Sequence, residues 1–186
     1  MMYSAFLFPI IKGYDIKKIP YPVIFVANHV SFFDLFISGS VLPGNPRGIE
    51  LYSHFYTPIY GWFITRFGQI SIELGNKASL RKAILTAIDI LKNSERNIYV
   101  APEGTRTKDG KIGEFRNGAF YLAMKSGRPI IPVVYKNLYE KNNKNSFSIK
   151  PGFFDVIFMN PVYPKDFASE KEMKNFIKDQ MDKELM

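Results

Sequence analysis

Apolar runs and amphipathic stretches alternate along this chain. Four runs are continuous and rich in β-branched and aromatic residues, which is typical of strands buried on both faces. These runs are Val23–Ala27, Gln69–Leu74, Asn97–Ala101 and Pro129–Tyr135. A weaker strand candidate is Arg47–Ser53, and "FFDVIFMNPV" predicts a further strand after the polar loop "KNLYEKNNKNSFSIK".

Helical patterns lie between the strands. "ASLRKAILTAIDILKN" predicts an amphipathic helix with one apolar stripe. The stripe comprises Leu80, Ile84, Ala87, Ile88 and Leu91. "NGAFYLAMKSG" predicts a short helix ended by Gly127. The pattern over residues 165–186 predicts a charged C-terminal helix. Its packing stripe comprises Met173, Phe176, Ile177 and Met181.

This alternation predicts α/β architecture: a single domain over residues 1–186, with a largely parallel central sheet flanked by helices. In such sheets ligands collect at the carboxyl ends of the strands. Polar motifs that directly follow a predicted strand are therefore the first candidates for a functional site.

Composition narrows the possible chemistry. The chain has 186 residues and no cysteine, which excludes disulfides, thiolate metal sites and a cysteine nucleophile. Its net charge of +8 favours nucleic acid, anionic lipid or phosphorylated small molecules as partners. No apolar run approaches the roughly 20 residues of a membrane-spanning helix. No metal-ligand cluster, P-loop or GxGxxG motif occurs, so hydride and nucleotide chemistry are disfavoured.

The N-terminal stretch "MMYSAFLFPIIKG" is apolar but has neither a basic leader nor a small-residue cleavage site. We therefore expect no signal peptide. Residues 1–20 either lie against a membrane or pack on the domain, and the sequence leaves both alternatives open.

The first polar motif is "NHVSFFD", residues 28–34, directly after a predicted strand. Asp34 in the first turns of the next helix can reach back to one ring nitrogen of His29, fix its tautomer and leave the other nitrogen as a base. In the alternative, Asn28, Ser31 and Asp34 only cap the helix. Ser31 could be a nucleophile, although a substrate hydroxyl fits the motif better. The second histidine, His54, is expected to have no comparable carboxylate setting.

The second motif is "APEGTRTKDGKIGEF", residues 101–115, after the strand "NIYV". Gly104 lets the backbone approach a ligand closely, and the planar guanidinium of Arg106 suits phosphate oxygens. Glu103 could hold Arg106 or accept a hydrogen bond from a substrate hydroxyl. Lys108–Lys111 is interpreted as a solvated turn. A base beside an anion site indicates an enzyme acting on a phosphorylated alcohol.

Together these motifs resemble the glycerolipid acyltransferase family. Its N-H-x-S-x-x-D block is matched by Asn28, His29, Ser31 and Asp34. Its P-E-G-T-R block is matched by Pro102, Glu103, Gly104, Thr105 and Arg106. The following sequence is also similar, with Arg116, Gly118, Ala119 and the block Pro129–Pro132. The resemblance runs from about Val23 to Val134 in the family's order, and the motif-bearing core is about residues 23–135.

The resemblance implies the glycerolipid acyltransferase fold and direct acyl transfer to a lysophospholipid, most simply 1-acylglycerol-3-phosphate, from acyl-CoA or acyl carrier protein. His29 would be the base, and Asp34 would orient it. Glu103, Gly104, Thr105 and Arg106 would bind the acceptor, with support from Asn28, Ser31, Arg116 and Pro132, of which Pro132 would shape the wall of the site. The resemblance implies no cofactor, no metal and no nucleic acid partner. It also implies peripheral association with the cytoplasmic side of a membrane.

The family's second block departs from its usual form here. "IELYSHFYTPIYGWF" keeps Pro58 and Gly61 but has no lysine between Gly48 and Pro58, and Glu73 and Leu74 stand where a basic residue is usual. The acceptor head group could therefore differ, or Arg66 and Arg106 could suffice. The aromatic stretch of residues 52–67 predicts membrane contact, or else a helix packed on the sheet. A thioesterase and a basic binding module are the rival functions.

Overall fold

The computed structural model describes residues 6–143 and 149–186, and these contain a central sheet flanked by helices. Seven strands lie in the order β1-β7-β6-β2-β5-β3-β4. Neighbouring strands are parallel except β6 and β7, which are antiparallel. The strands are β1 Leu7–Gly13, β2 Ile24–Ala27, β3 Arg47–Leu51, β4 Ile70–Ile72, β5 Ile98–Val100, β6 Ile130–Lys136 and β7 Gly152–Phe158. The predicted α/β fold with a largely parallel sheet is confirmed.

Each apolar run identified in the sequence contains a strand. The central strands β2, β5 and β6 are almost entirely buried, as their continuous apolar patterns predict. Three predicted strand ranges are longer than the observed strands by one to three residues, because the residues at their ends lie outside the strand ladders. Of the polar loop before β7, residues 144–148 lie outside the described residues.

The N-terminal segment forms a strand that the sequence did not predict. Leu7–Gly13 pairs in parallel with β7 at the edge of the sheet, and Leu7 is buried. Pro9 is tolerated there because an edge strand has one side without ladder hydrogen bonds. Residues 7–13 therefore pack on the domain, which is one of the two alternatives that the sequence leaves open. Membrane contact by residues 1–20 stays a prediction, and residues 1–5 lie outside the described residues.

Helices cover both faces of the sheet. They are α1 Asp34–Val41, α2 Tyr60–Arg66, α3 Lys77–Asn93, α4 Gly118–Ser126 and α5 Glu170–Leu185. One apolar core lies between the sheet and α3, α4 and α5, and a second lies on the α1 face around Phe25, Ile37 and Tyr135. Among the described residues, no helix has the length and apolar character needed to cross a bilayer.

Two predicted packing stripes need correction. The buried face of α3 comprises Ala83, Ala87, Ile90 and Leu91, whereas Leu80 is 45% exposed. The predicted α3 stripe is thus rotated slightly from the observed one. In the C-terminal helix Met173, Ile177 and Met181 are buried, but Phe176 is 44% exposed.

The predicted helix ends were partly right. Helix α5 begins at Glu170 rather than at residue 165, because the Ser169 hydroxyl accepts a hydrogen bond from the N–H of Glu172 and caps it. Helix α4 ends at Ser126, and the next residue, Gly127, stops it as predicted, because its φ of +70° gives the left-handed turn that glycine favours.

The strand order brings the two polar motifs together. β2 and β5 are parallel neighbours, so their carboxyl ends meet at one edge of the sheet. β3 is the next parallel neighbour of β5, so the residues after β3 lie at the same edge. This edge carries the candidate site.

Candidate active site

His29 and Asp34 contact each other at the carboxyl end of β2. Nδ1 of His29 lies 2.6 Å from Oδ2 of Asp34. Nε2 has no hydrogen-bond partner among residues 6–143 and 149–186, and the His29 side chain is 29% exposed. With Nδ1 donating to the carboxylate, Nε2 is the nitrogen available to accept a proton. The proximity expected from the sequence is therefore present, while the catalytic roles stay predictions.

Asp34 holds the backbone between itself and His29. Its carboxylate also accepts hydrogen bonds from the N–H groups of Val30, at 2.7 Å, and Ser31, at 3.0 Å. The side chain is only 3% exposed, so these donors replace the water that a buried carboxylate loses. Phe33 rather than Asp34 is the N-cap of α1, and it makes no side-chain capping bond. A purely capping role for Asp34 does not describe this arrangement.

The two motifs are joined directly through the backbone of His29. Its N–H donates to Oε1 of Glu103 at 2.7 Å, and its carbonyl accepts from the N–H of Thr107 at 2.8 Å. The other carboxylate oxygen of Glu103 accepts from the N–H of Gly113 at 2.8 Å. Glu103 thus fixes the position of His29 and closes its own loop. Sequence reasoning missed this role because the partners are backbone amides.

Burial dominates the electrostatics of Glu103. Desolvation raises the pKa of this carboxyl, and the N–H groups of His29 and Gly113 oppose that rise by stabilising the ionised form. The expected pairing of Glu103 with Arg106 is absent from the described part of the chain. Oε1 and Oε2 face amides instead, so Glu103 does not hold the guanidinium in place.

The cationic side of the site lies on the loop after β5. Gly104 and Thr105 are exposed, and Arg106 is half-buried next to Thr107. The guanidinium of Arg116 lies over Gly104, since a Cβ placed there would come within 2.7 Å of Nε of Arg116. Gly104 has a φ of +67°, so both its conformation and the close approach of Arg116 favour glycine. The guanidinium of Arg116 therefore borders an exposed backbone turn on the loop that also carries Arg106.

The remaining predicted residues support the loops or lie elsewhere. Asn28 is buried and exchanges two side-chain hydrogen bonds with the backbone of Tyr135, at 3.1 and 2.8 Å, tying β2 to β6. Ser31 is fully buried and donates to Oδ1 of Asn142 at 2.7 Å, so its hydroxyl is not presented to a substrate. Pro132 pairs with Val26 inside the sheet and lines a separate groove of about 350 Å³ beside α5. The structure does not bring Pro132 to the strand end that carries His29.

The surroundings of His54 differ from those expected from the sequence. Its Nδ1 lies 2.8 Å from Oε2 of Glu50, so the second histidine does have a carboxylate partner. The ring of Tyr60 lies 5.9 Å from the ring of His54 and 5.9 Å from that of Phe32, which belongs to the His29 loop. Glu50 stands four residues before His54, and that spacing was the available signal. No group of three or more His, Asp or Glu side chains suited to a metal occurs in residues 6–143 and 149–186.

An exposed aromatic surface adjoins this edge. We define it as the exposed residues Phe32, Tyr52, Tyr56, Ile59, Trp62 and Phe67. Ile59 is 86% exposed and Trp62 is 71% exposed, which is unusual for apolar side chains of this size. Arg66 is exposed next to them at the end of α2. Packing on the sheet explains why Gly61 and Ile64 of this helix are buried, but it does not explain the apolar residues on the exposed face of the helix.

Comparison with known proteins places the chain among relatives. The 1-acyl-sn-glycerol-3-phosphate acyltransferase of Saccharomyces cerevisiae is 27% identical over 164 residues, which are 86% of this chain and 54% of that protein. The protein of the same name from Salmonella typhimurium is 26% identical over 148 residues, covering 80% of this chain and 60% of the relative. The chain thus spans about half the length of the curated relatives it matches.

A solved structure agrees over nearly the whole chain. The crystal structure of the 1-acyl-sn-glycerophosphate (LPA) acyltransferase PlsC from Thermotoga maritima superposes with a TM-score of 0.82 at 28% identity, covering 97% of this chain and 71% of that one. The family model described as Acyltransferase matches residues 11–136, which include both polar motifs. The chain belongs to the Acyltransferase family.

Proposed function

We propose that this protein transfers an acyl group from an acyl thioester to the hydroxyl of a lysophospholipid. The observation that carries the proposal is the 2.6 Å contact between His29 and Asp34, which leaves Nε2 of His29 facing away from the carboxylate, with a cationic loop hydrogen-bonded to the same histidine. Relatives named 1-acyl-sn-glycerol-3-phosphate acyltransferases support 1-acylglycerol-3-phosphate as the acceptor. The donor is acyl-CoA or acyl carrier protein, and no cofactor is required.

The reaction follows from the position of the imidazole. Nε2 of His29 takes the proton of the acceptor hydroxyl while its oxygen attacks the thioester carbonyl carbon. The tetrahedral intermediate collapses by breaking the carbon–sulfur bond, and the imidazolium returns its proton to the leaving sulfur. The products are an ester and a free thiol. Asp34 keeps Nδ1 protonated throughout and stabilises the imidazolium.

The loop after β5 binds the polar end of the acceptor in this proposal. Arg106 and Arg116 supply guanidinium donors that suit phosphate oxygens, and the exposed backbone at Gly104 and Thr105 allows close approach. Glu103 acts by holding the loop and His29 in register. Arg66 lies farther along the aromatic surface and would meet anionic lipid rather than the acceptor.

We further propose that the protein associates peripherally with the cytoplasmic side of a membrane through the aromatic surface. Phe32 belongs to this surface and to the His29 loop, so a lipid headgroup region would adjoin the site. Aromatic rings with an adjacent Arg66 suit the boundary between headgroups and acyl chains. An acceptor lipid could then reach His29 without leaving the bilayer surface completely.

An acyl-transfer assay tests the function. Purified protein is given acyl-CoA or acyl carrier protein loaded with the same chain, together with a panel of lysolipids, and products are identified by mass spectrometry. We expect acylated glycerolipid and free thiol in equal amounts, with 1-acylglycerol-3-phosphate the preferred acceptor. Free fatty acid in place of acylated lipid would instead establish a thioesterase. Binding of acidic lipid or nucleic acid without turnover, unchanged in His29→Ala, would establish a binding module.

Vesicle co-sedimentation tests the membrane proposal. Phe63 is unsuitable for mutation because its ring packs on Phe36 at 4.9 Å and Phe67 at 4.3 Å. The double variant Ile59→Gln/Trp62→Gln removes only exposed apolar groups, and we expect it to weaken binding to vesicles containing phosphatidylglycerol roughly tenfold or more.

Leu85→Gln is the matched control for this test. Leu85 is 55% exposed on α3, outside the aromatic surface, so vesicle binding should be retained. Equal binding by the folded double variant and the wild-type protein would refute the membrane proposal.

A further inference from the structure

The turn between β6 and β7 contacts both polar motifs. We define the β6–β7 turn as Leu138–Asn142; Leu138 is fully buried and its carbonyl accepts the N–H of Asn142 at 3.0 Å. It follows the end of β6, where Asn28 already binds the backbone of Tyr135. The turn lies beyond residues 11–136, the part that matches the family model.

Asn142 binds the His29 loop. Its Oδ1 accepts the Ser31 hydroxyl at 2.7 Å, and both residues are buried. The same hydroxyl oxygen accepts the N–H of Phe33 at 3.0 Å, while the N–H of Ser31 donates to Asp34. The Ser31 hydroxyl thus binds Asn142 while the Ser31 amide binds Asp34. A shift of Asn142 would therefore move the loop that fixes the His29–Asp34 pair.

Tyr139 binds the cationic loop at its far end. Its hydroxyl donates to the carbonyl of Lys108, and its ring packs against Gly110. A Cβ at Gly110 would lie 3.1 Å from that ring, so the β6–β7 turn and the cationic loop are in close contact. Thr107, in the same loop as Lys108, donates its N–H to the carbonyl of His29.

We propose that Tyr139 and Asn142 are positioning residues that hold the cationic loop and the His29 loop at a fixed separation. This inference rests on the proposed function, since that separation is the distance between the base and the acceptor's anionic group. Neither residue needs to touch the substrate for this role. Asn142 acts through Ser31 on His29, and Tyr139 acts through Lys108 on the loop that carries Arg106. Their loss should therefore have different kinetic effects.

Kinetics provide the first test. Asn142→Ala removes the hydrogen bond to Ser31 and should lower kcat roughly three- to tenfold, while the KM for the acceptor changes less than about twofold. Tyr139→Phe should raise the KM for the acceptor by a similar factor with little change in kcat. Exposed surface residues give matched controls, and Asn175→Ala and Tyr163→Phe should leave both constants unchanged.

Imidazole NMR provides a second test that does not require turnover. The chain has 2 histidines, so two ring spin systems are expected, and His54→Gln assigns them. Asn142→Ala should shift the ring resonances of His29 and leave those of His54 in place. Ser31→Ala removes the donor of the same hydrogen bond and also the acceptor of the Phe33 N–H, so it should shift the His29 resonances at least as far, and it replaces Asn142→Ala if that variant does not fold. The double variant should shift no further than Ser31→Ala alone.

A core variant separates positioning from simple destabilisation. Met181 is fully buried in α5, and Met181→Ala should lower stability without moving the His29 resonances. If Asn142→Ala and Tyr139→Phe change kcat and KM in the same proportion and, like Met181→Ala, leave the His29 resonances unshifted, the proposal is wrong. If the wild-type protein transfers no acyl group to any acceptor, the proposed function fails, while the NMR shifts still decide whether Asn142 positions His29.

Discussion

The molecule contains two histidine–carboxylate pairs on one edge of its sheet, and they differ in what holds the carboxylate. His29 and Asp34 are 2.6 Å apart, with side chains 29% and 3% exposed. His54 and Glu50 are 2.8 Å apart, with side chains 42% and 17% exposed. Asp34 also binds two backbone N–H groups, so histidine, loop and helix start form one unit.

Glu50 lacks this backbone support. Besides His54, the Glu50 carboxylate lies near the side chain of Tyr60. Burial raises the pKa of the Tyr60 hydroxyl, and the charge of Glu50 raises it further. No hydrogen bond joins Glu50 to the backbone between itself and His54 within the described residues. A short contact between an imidazole and a carboxylate is therefore insufficient to identify a base. The supporting amides, and the second loop that binds the backbone of His29, distinguish the two pairs.

Replacing each histidine gives the largest expected contrast. His29→Ala should lower kcat by roughly 100- to 10,000-fold, the usual contribution of a general base. His54→Gln should change kcat less than about threefold, because the half-exposed His54 pair lacks this support. The kcat values of both variants are measured with the same donor and acceptor, and circular dichroism verifies folding. Comparable losses in the two variants would mean that the His54 pair takes part in the reaction.

Replacing each carboxylate by its amide compares how much the hydrogen bonds around Asp34 and Glu50 contribute to stability. Asp34→Asn turns an amide N–H₂ toward groups that already donate, so we expect a stability loss of about 2–3 kcal/mol and a fall in kcat of roughly 100-fold. Glu50→Gln should cost less, about 1 kcal/mol, because Gln keeps an oxygen acceptor and Glu50 has, among the described residues, no backbone donors in this pair to lose. Urea denaturation measures both. Equal stability losses would show that the backbone amides add nothing to the Asp34 pair.

The sequence predicted the sheet and the first motif for clear physical reasons. Continuous apolar runs specify buried strands, and a histidine at the end of one strand followed by an aspartate in the next helix leaves few possible arrangements. The β1 strand was missed because Pro9 and its short apolar run do not resemble a central strand. Glu103 was misread because its partners, the amides of His29 and Gly113, leave no side-chain pattern.

Glu103 links stability to pH and should give an intermediate effect. Burial raises the pKa of its carboxyl above the ordinary value of 4.5, so the folded state retains the proton longer than the unfolded state. The resulting stability is fully present below pH 4.5 and is lost as pH rises through the raised value. Relative to Glu103→Gln, the wild-type protein should therefore lose stability as pH rises.

Urea denaturation between about pH 4 and pH 8 measures this difference. At every pH, Glu103→Gln should also suffer a fixed loss of about 1–3 kcal/mol, because the Gln amide nitrogen faces one of the two N–H donors. Glu95→Gln, an exposed control, should show a nearly constant difference from the wild-type protein. A stability difference for Glu103→Gln that does not vary with pH would contradict the raised pKa.

Gly104 gives the smallest and most local effect. Its φ of +67° makes Gly104→Ala cost about 1 kcal/mol in backbone strain, and the new Cβ would displace Arg116, whose Nε would lie 2.7 Å away. Gly75 has a φ of +82°, and a Cβ added there would meet nothing within 4 Å, so Gly75→Ala carries the strain alone. Both variants should lose similar stability, whereas only Gly104→Ala should raise the KM for the acceptor, by roughly threefold. An unchanged KM in Gly104→Ala would show that Arg116 is not part of the anion site, and Arg106 would then be its only guanidinium on this loop.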